Sequence, residues 1–403
     1  MTIFTKPIVD ITYQDVVEFC EKYQPEGSFL DYKEDFPPQN EKLAKTIAAF
    51  ANTWGGVLLI GVKDDKDGNP QPPFEGIPCR TGLHERVEEI IFSNIRPPVF
   101  TEVKVVQSSD ELKAFVLVRV PQSNDAHILN KEQAVYIRTG RSSRPEEVIS
   151  PEQIIWLQDR RKKSEELRES IYLKSEERFS NYCRLHKIAE QNIPGLCSIS
   201  IMPLYPQKPL INYWEIPDIA GQISVFSNSY RNNYPFYVAN AKTVQGGISC
   251  FALVENQLEH FWELNHFGLL WHKEPVAVGR DAEFVVELQK ITSLICLIFK
   301  ASLNFYRQLS YWGLLEFRLK VENISGAKSN TGDIHLPSFY VMEPVPDKEL
   351  SWQREFSFKE LEDSLDCIIV EILRDVIWSM GVKGEEKDIR YLVKKLEPGI
   401  MPK

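Results

Sequence analysis

Apolar positions along the first third of the chain change spacing several times, and each change marks an element. Val16, Phe19 and Cys20 recur at helical spacing, with Thr12 and Asp15 placed as a capping box and Pro25 as a stop; this predicts a short helix over 12–23. Leu30 and Tyr32 then alternate with Phe29, Asp31 and Lys33, which predicts a strand over 28–33 with a carboxylate and an ammonium on one face. After Pro37-Pro38, Asn40 is placed to cap a helix to about Thr53, with Leu43, Ile47 and Phe50 inward and Glu41–Lys45 as an i,i+4 pair. Gly55-Gly56 ends it. Val57 to Val62 is nearly unbroken in its apolar character, so a central strand covered on both faces is expected, with Gly61 marking a close backbone approach or a bulge. Asp64, Asp65 and Asp67 follow in a turn whose acidity local Asx chemistry can account for by itself.

Further along, Leu83 to Asn94 predicts a helix, Glu102–Val106 and Ala114–Val120 a hairpin, and Gln133–Arg138 a strand running into a loop with Arg138, Arg141 and Arg144 among Gly and Ser. Such a loop can grip phosphate, or be a solvated turn. Pro151 to about Glu190 is a charged helical stretch, polar all round in its middle and containing Arg160 to Lys163; a helix bridging domains is expected. From Gly195 short aromatic and β-branched runs recur, including 197–204, 222–226, 236–238 and 247–254, before long helical patterns over 282–309 and 360–380 and a strand over 314–322. The class is α+β, divided as 1–150, a charged linker helix over 151–190, and a second α+β domain over 191–403 with a sensing or regulatory role.

Composition narrows this picture more than it fills it. At 403 residues, two or three domains are expected. A net charge of −10 gives no bulk attraction for polyanions, so any nucleic-acid site must rest on a local basic patch. The 7 cysteines lie far apart with no CxxC pair, which argues against a structural zinc site and suits a reduced cytoplasm. No leader is apparent, and the most apolar segment, 291–299, is too short to span a bilayer, so a cytoplasmic chain with no membrane partner is expected. His260, His266 and His272 recur every six residues without nearby acidic ligands, and are read as core or surface histidines.

Taken together, EGSFLDYKEDF, EKLAKTIAAFANTWGGVLLIGVKDD, FEGI and YIRTGRSS resemble the Schlafen/AlbA-type domain, in its bacterial single-copy form, over roughly residues 10–150. The resemblance implies a mixed sheet with flanking helices. It also implies three carboxylates that bind Mg²⁺ or Mn²⁺ and cleave structured RNA such as transfer RNA. Carried over, these catalytic and metal-binding positions fall on Glu26, Asp31 and Asp64, with Lys33 beside them to steady charge on the phosphate. Glu26 must reach the site round a bend, which Gly27 permits. The second acid is Asp where the family usually has Glu, the zinc ligands of the animal proteins have no counterpart, and the chain has one lobe where those proteins have two; a homodimer would restore the second. The expectation is a metal-dependent endoribonuclease, as a stress or anti-phage effector. The alternative is a non-catalytic regulator that grips nucleic acid or nucleotide through Arg138, Arg141, Arg144 and Lys63, with the acids structural.

Overall fold

The apolar run that follows Gly55 becomes the strand Gly56–Ile60, buried along its whole length. It pairs in parallel with Leu30–Lys33, Asp31 standing opposite Leu58, and antiparallel with Lys113–Val120. Lys113–Val120 is paired further by Glu102–Gln107 and Ile77–Pro78, completing a mixed five-stranded sheet. This is a computed structural model, and it describes residues 2–6, 8–123, 125–138, 145–148, 150–206, 209–223, 236, 241–279, 285–309, 311, 313–330, 340–341 and 344–397. Alternation along Gly56–Ile60 sends Val57 and Leu59 into one apolar layer with the Tyr13–Cys20 helix. It sends Leu58 and Ile60 into another, with the helices Asn40–Asn52 and Leu83–Asn94. Each such side chain contributes about 1.5–3 kcal/mol when fully buried, and the two-sided burial explains why no polar residue interrupts the run.

Thr12 and Asp15 form the expected capping box. The second helix begins differently: Gln39 holds the N-cap position without a side-chain bond, and Asn40 is the first helical residue. Gly55 has a φ of +73°, and a Cβ on Gly56 would lie 2.5 Å from the Phe50 ring. The glycine pair therefore lets the end of the helix close onto the start of the strand. A smaller antiparallel sheet, Ile95–Arg96, Ile128–Leu129, Ala134–Ile137 and Glu146–Glu147, delivers the chain to Arg138.

The chain divides into units of residues 1–165 and 166–403, and the boundary falls inside the helix Pro151–Leu185. The second unit is built on a seven-stranded antiparallel sheet in the order 242–244, 247–254, 257–265, 270–275, 196–203, 314–322, 349–357. One face is covered by helices including Ile216–Ile223, Leu288–Gln308, Leu365–Ser379 and Glu386–Leu396. The other is covered by Ile171, Tyr172, Phe179 and Cys183 of the long helix. Some boundaries move. Gln222 and Ile223 end a helix instead of opening a strand, and residues 224–226 lie outside the described ones, as do 237–238. The helix expected over 282–309 is preceded by the strand Val285–Glu287, and the one over 360–380 breaks at Ser364. Among the described residues no helix is long and apolar enough to cross a membrane.

Candidate functional site

The chain bends at residue 27, where a Cβ would meet nothing within 4 Å, and Glu26 folds back on its own strand. The Glu26 amide donates to Gly68 O at 2.8 Å and the Gly27 amide to Leu30 O at 3.0 Å. The Glu26 carboxylate, through Oε1, then accepts the Tyr32 amide at 2.7 Å. The next strand is tied in by Gly61 and Val62, whose amides both donate to Lys33 O. This brings the short Lys63–Asp64 strand beside Leu30–Lys33. The acidic turn divides by role. Asp65 Oδ1 accepts the Asp67 and Asn69 amides at 2.9 and 2.8 Å, the local Asx chemistry expected of such a turn. Asp64 receives no side-chain hydrogen bond among the described residues. Gly68 has a φ of +77°, and a Cβ there would lie 3.0 Å from Glu26 Cβ, so the turn needs glycine to pass Glu26.

Asp31 is 2% exposed and both its oxygens are taken. Oδ1 accepts from Lys33 Nζ, which also donates to Tyr32 O at 2.8 Å. Oδ2 accepts from Arg138 Nη1 at 2.8 Å. Arg138 in turn donates through Nη2 to Gly27 O at 2.6 Å and Leu30 O at 3.1 Å, and its guanidinium lies 4.6 Å over the Phe50 ring. Its side chain is 0% exposed. The expectation that Arg138 grips phosphate is corrected: its charge is spent inside the domain, on a buried carboxylate and two carbonyls.

The helix end AFANT and the YIR segment are joined by the same network. Thr53 Oγ1 donates to Ala49 O and accepts the Arg138 amide at 2.8 Å. Asn52 bonds the carbonyls of His127 and Tyr136 and accepts the His127 amide. Arg160, from the charged run, is buried against the C-terminal end of that helix, donating to Asn52 O at 2.8 Å and Thr53 O at 2.7 Å. A cation there meets the negative end of the helix dipole. The sequence reading missed this use of Arg160, and also missed Asn52 and Thr53 as the joints of the site; the signal was their co-occurrence with Arg138.

Electrostatics set Glu26 apart. Burial, then the charge of Asp31 and more weakly that of Asp64, push its carboxyl up to about 7, against the Tyr32 amide and Lys33. Three carboxylates are thus near enough to feel one another, although among the described residues no three His, Cys, Asp or Glu side chains are gathered as a metal-binding group. Asp31, expected as a metal ligand, has one oxygen accepting from Lys33 and the other from Arg138, so a metal there would share each oxygen with a protein cation. Glu26 and Asp64 do fit: they are hard oxygen donors with capacity left, and Mg²⁺ is commonly held by one or two carboxylates together with waters and substrate phosphate oxygens. The Lys63 side chain is 63% exposed, and its ion-pair partner among the described residues is Glu34 at 3.9 Å, so its ammonium is open to solvent. Arg141 and Arg144 lie outside the described residues.

The family described as Schlafen, AlbA_2 matches residues 26–147. Among solved structures, the solution structure of the N-terminal domain of a RecG-related protein from Nitrosomonas europaea is similar at 19% identity and a TM-score of 0.25, covering 35% of this chain and 96% of that one. A comparison with curated proteins finds no match.

Proposed function

We propose, from the premise that residues 26–147 are a Schlafen/AlbA_2-type domain, that this domain is a divalent-metal-dependent endonuclease whose substrate is structured, transfer-RNA-like RNA. The observation that carries the reading is the Glu26 carboxyl, driven up to about 7 by burial beside Asp31 and Asp64. Such a cluster is relieved by protonation or by a cation. Glu26 and Asp64 would hold Mg²⁺ or Mn²⁺, which when bound supplies Lewis-acid polarisation of a phosphoryl oxygen. Lys33, 29% exposed and anchored on Asp31 and Tyr32 O, steadies negative charge developing on the phosphate. Asp31 is a positioning residue: Arg138 fixes it, and it fixes Lys33. Lys63 guides the backbone. Cleavage of transfer RNA under stress or phage attack is the setting we propose, with a homodimer supplying a second lobe.

The test is incubation of the full chain with total transfer RNA, with and without Mn²⁺, for wild type, Glu26→Gln and Asp64→Asn. Metal-dependent cleavage that both variants lose is the expected result. No metal-dependent cleavage by wild type, or equal cleavage by Asp64→Asn, overturns the reading. One observation favours a second reading, a non-catalytic nucleic-acid-binding regulator: Asp31 is already paired with the protein cations Lys33 and Arg138. That reading expects salt-sensitive RNA binding without cleavage, surviving Asp64→Asn and failing in Arg141→Ala.

A further inference from the structure

The second unit holds a cavity of about 170 Å³. Lys174 and Arg178 line it from the long helix, Glu263 from the strand Gln257–Asn265, His266 and Phe267 from the turn that follows that strand, and Tyr213 from the turn before the helix Ile216–Ile223. Glu263 is 1% exposed. Its Oε1 accepts from Ser175 Oγ at 2.9 Å and lies 2.5 Å from Arg178 Nη1. Its Oε2 is buried and has no hydrogen-bond partner among the described residues. A carboxylate oxygen left in this way is costly, and the cost disappears when a ligand brings an N–H or O–H donor. Burial pushes the Glu263 carboxyl above the usual range, against Arg178 and Ser175; a third donor would act in the same direction as those two.

The remaining walls say what carries that donor. The Tyr213 and His266 rings lie 4.8 Å apart, and Phe267 meets His266 edge-on at 4.4 Å, which offers flat π surface. Lys174 is exposed and has no ion pair among the described residues, so it stands ready for an anion. A cavity of about 150 Å³ takes one benzene ring, so this one takes a single six-membered heterocycle such as a pyrimidine base and leaves an attached anionic group at the exposed Lys174.

We propose that this cavity binds a mononucleotide, with an N–H edge of the base on Glu263 Oε2, the ring against Tyr213 and His266, and the phosphate on Lys174. Calorimetric titration of the full chain would use the four ribonucleoside monophosphates, their nucleosides, inorganic phosphate and free tyrosine. At least one monophosphate should bind at one per chain, and Asp64→Asn should bind it equally, which separates this site from the acidic corner of the first unit. Lys174→Ala should weaken the monophosphate about tenfold or more and leave the nucleoside unchanged. Glu263→Gln should weaken both to a similar degree, because Ser175 and Arg178 hold the amide oxygen and turn its NH₂ toward the ligand donor. Circular dichroism would confirm that both variants keep the wild-type fold. The proposal is overturned if no monophosphate binds, if phosphate alone or tyrosine binds as tightly, or if either variant binds as wild type does.

Discussion

Replacing Arg138 by Met should unfold the first unit's site more than any surface change near it. Methionine keeps an unbranched apolar stem over Phe50, so the loss is mainly that of the guanidinium. Three interactions go at once: the ion pair to Asp31 and the bonds to Gly27 O and Leu30 O. Asp31, 2% exposed, keeps Lys33 as its one cation among the described residues. Removing one partner of a buried ion pair costs about 3–5 kcal/mol, because the other charge stays buried. With a urea slope of about 2 kcal/mol per molar, that lowers the unfolding midpoint by roughly 1.5–2.5 M. Urea unfolding of the full chain by circular dichroism would measure it, with hydrogen exchange of the peptide spanning residues 26–33 to localise it. The cycle is closed with Asp31→Leu and the double variant. Since no buried charge is stranded in the double variant, it should be clearly more stable than the two single losses added together predict. A single-variant loss below about 1 kcal/mol together with an additive cycle would refute the reasoning that Arg138 is held for Asp31.

The Glu26 carboxyl gives a pH signature. Its value rises from 4.5 in the unfolded chain to about 7 in the folded one, so between those values the folded state binds more protons. Its contribution to stability is then complete below pH 4.5 and is lost as pH rises toward 7. Metal-free melting temperatures should fall across that window in wild type and fall less in Glu26→Gln, and Mn²⁺ should raise the wild-type value at pH 8; an identical pH slope in both proteins would count against the burial of Glu26. Gly56→Ala places a Cβ 2.5 Å from the Phe50 ring and 2.9 Å from Phe29 O, and should cost about 1–3 kcal/mol by overpacking, read as a lowered melting temperature; an unchanged melt would mean that the helix end gives way freely.

What the amino-acid order disclosed follows from how far each interaction reaches along the chain. The helices 13–20 and 83–94 and the buried strand 56–60 were legible because period and capping are local. The long helix was read as a bridge and not as a packed element because its buried side chains, Ile171, Tyr172, Phe179 and Cys183, are sparse among charges, and because a buried Arg160 looks like any other arginine in a basic run. Asp64 and Asp65 are the same residue type in adjacent positions; the hydrogen bonds of Asp65 to its own turn distinguish them, and these need coordinates. The motif letters AFANT and YIR were legible as a resemblance, but their physical reason was not, since Thr53 and Arg138 meet across 85 positions. That reason changes the meaning of the shorter acid. A carboxylate at residue 31 is held between Arg138 and Lys33, so its length matters first to the pairing with those two cations. We propose that a further cation is taken up by Glu26, which forms no ion pair among the described residues, and by Asp64. In the reading we propose, Asp31 anchors the lysine beside it, and the two acids that flank it carry the chemistry.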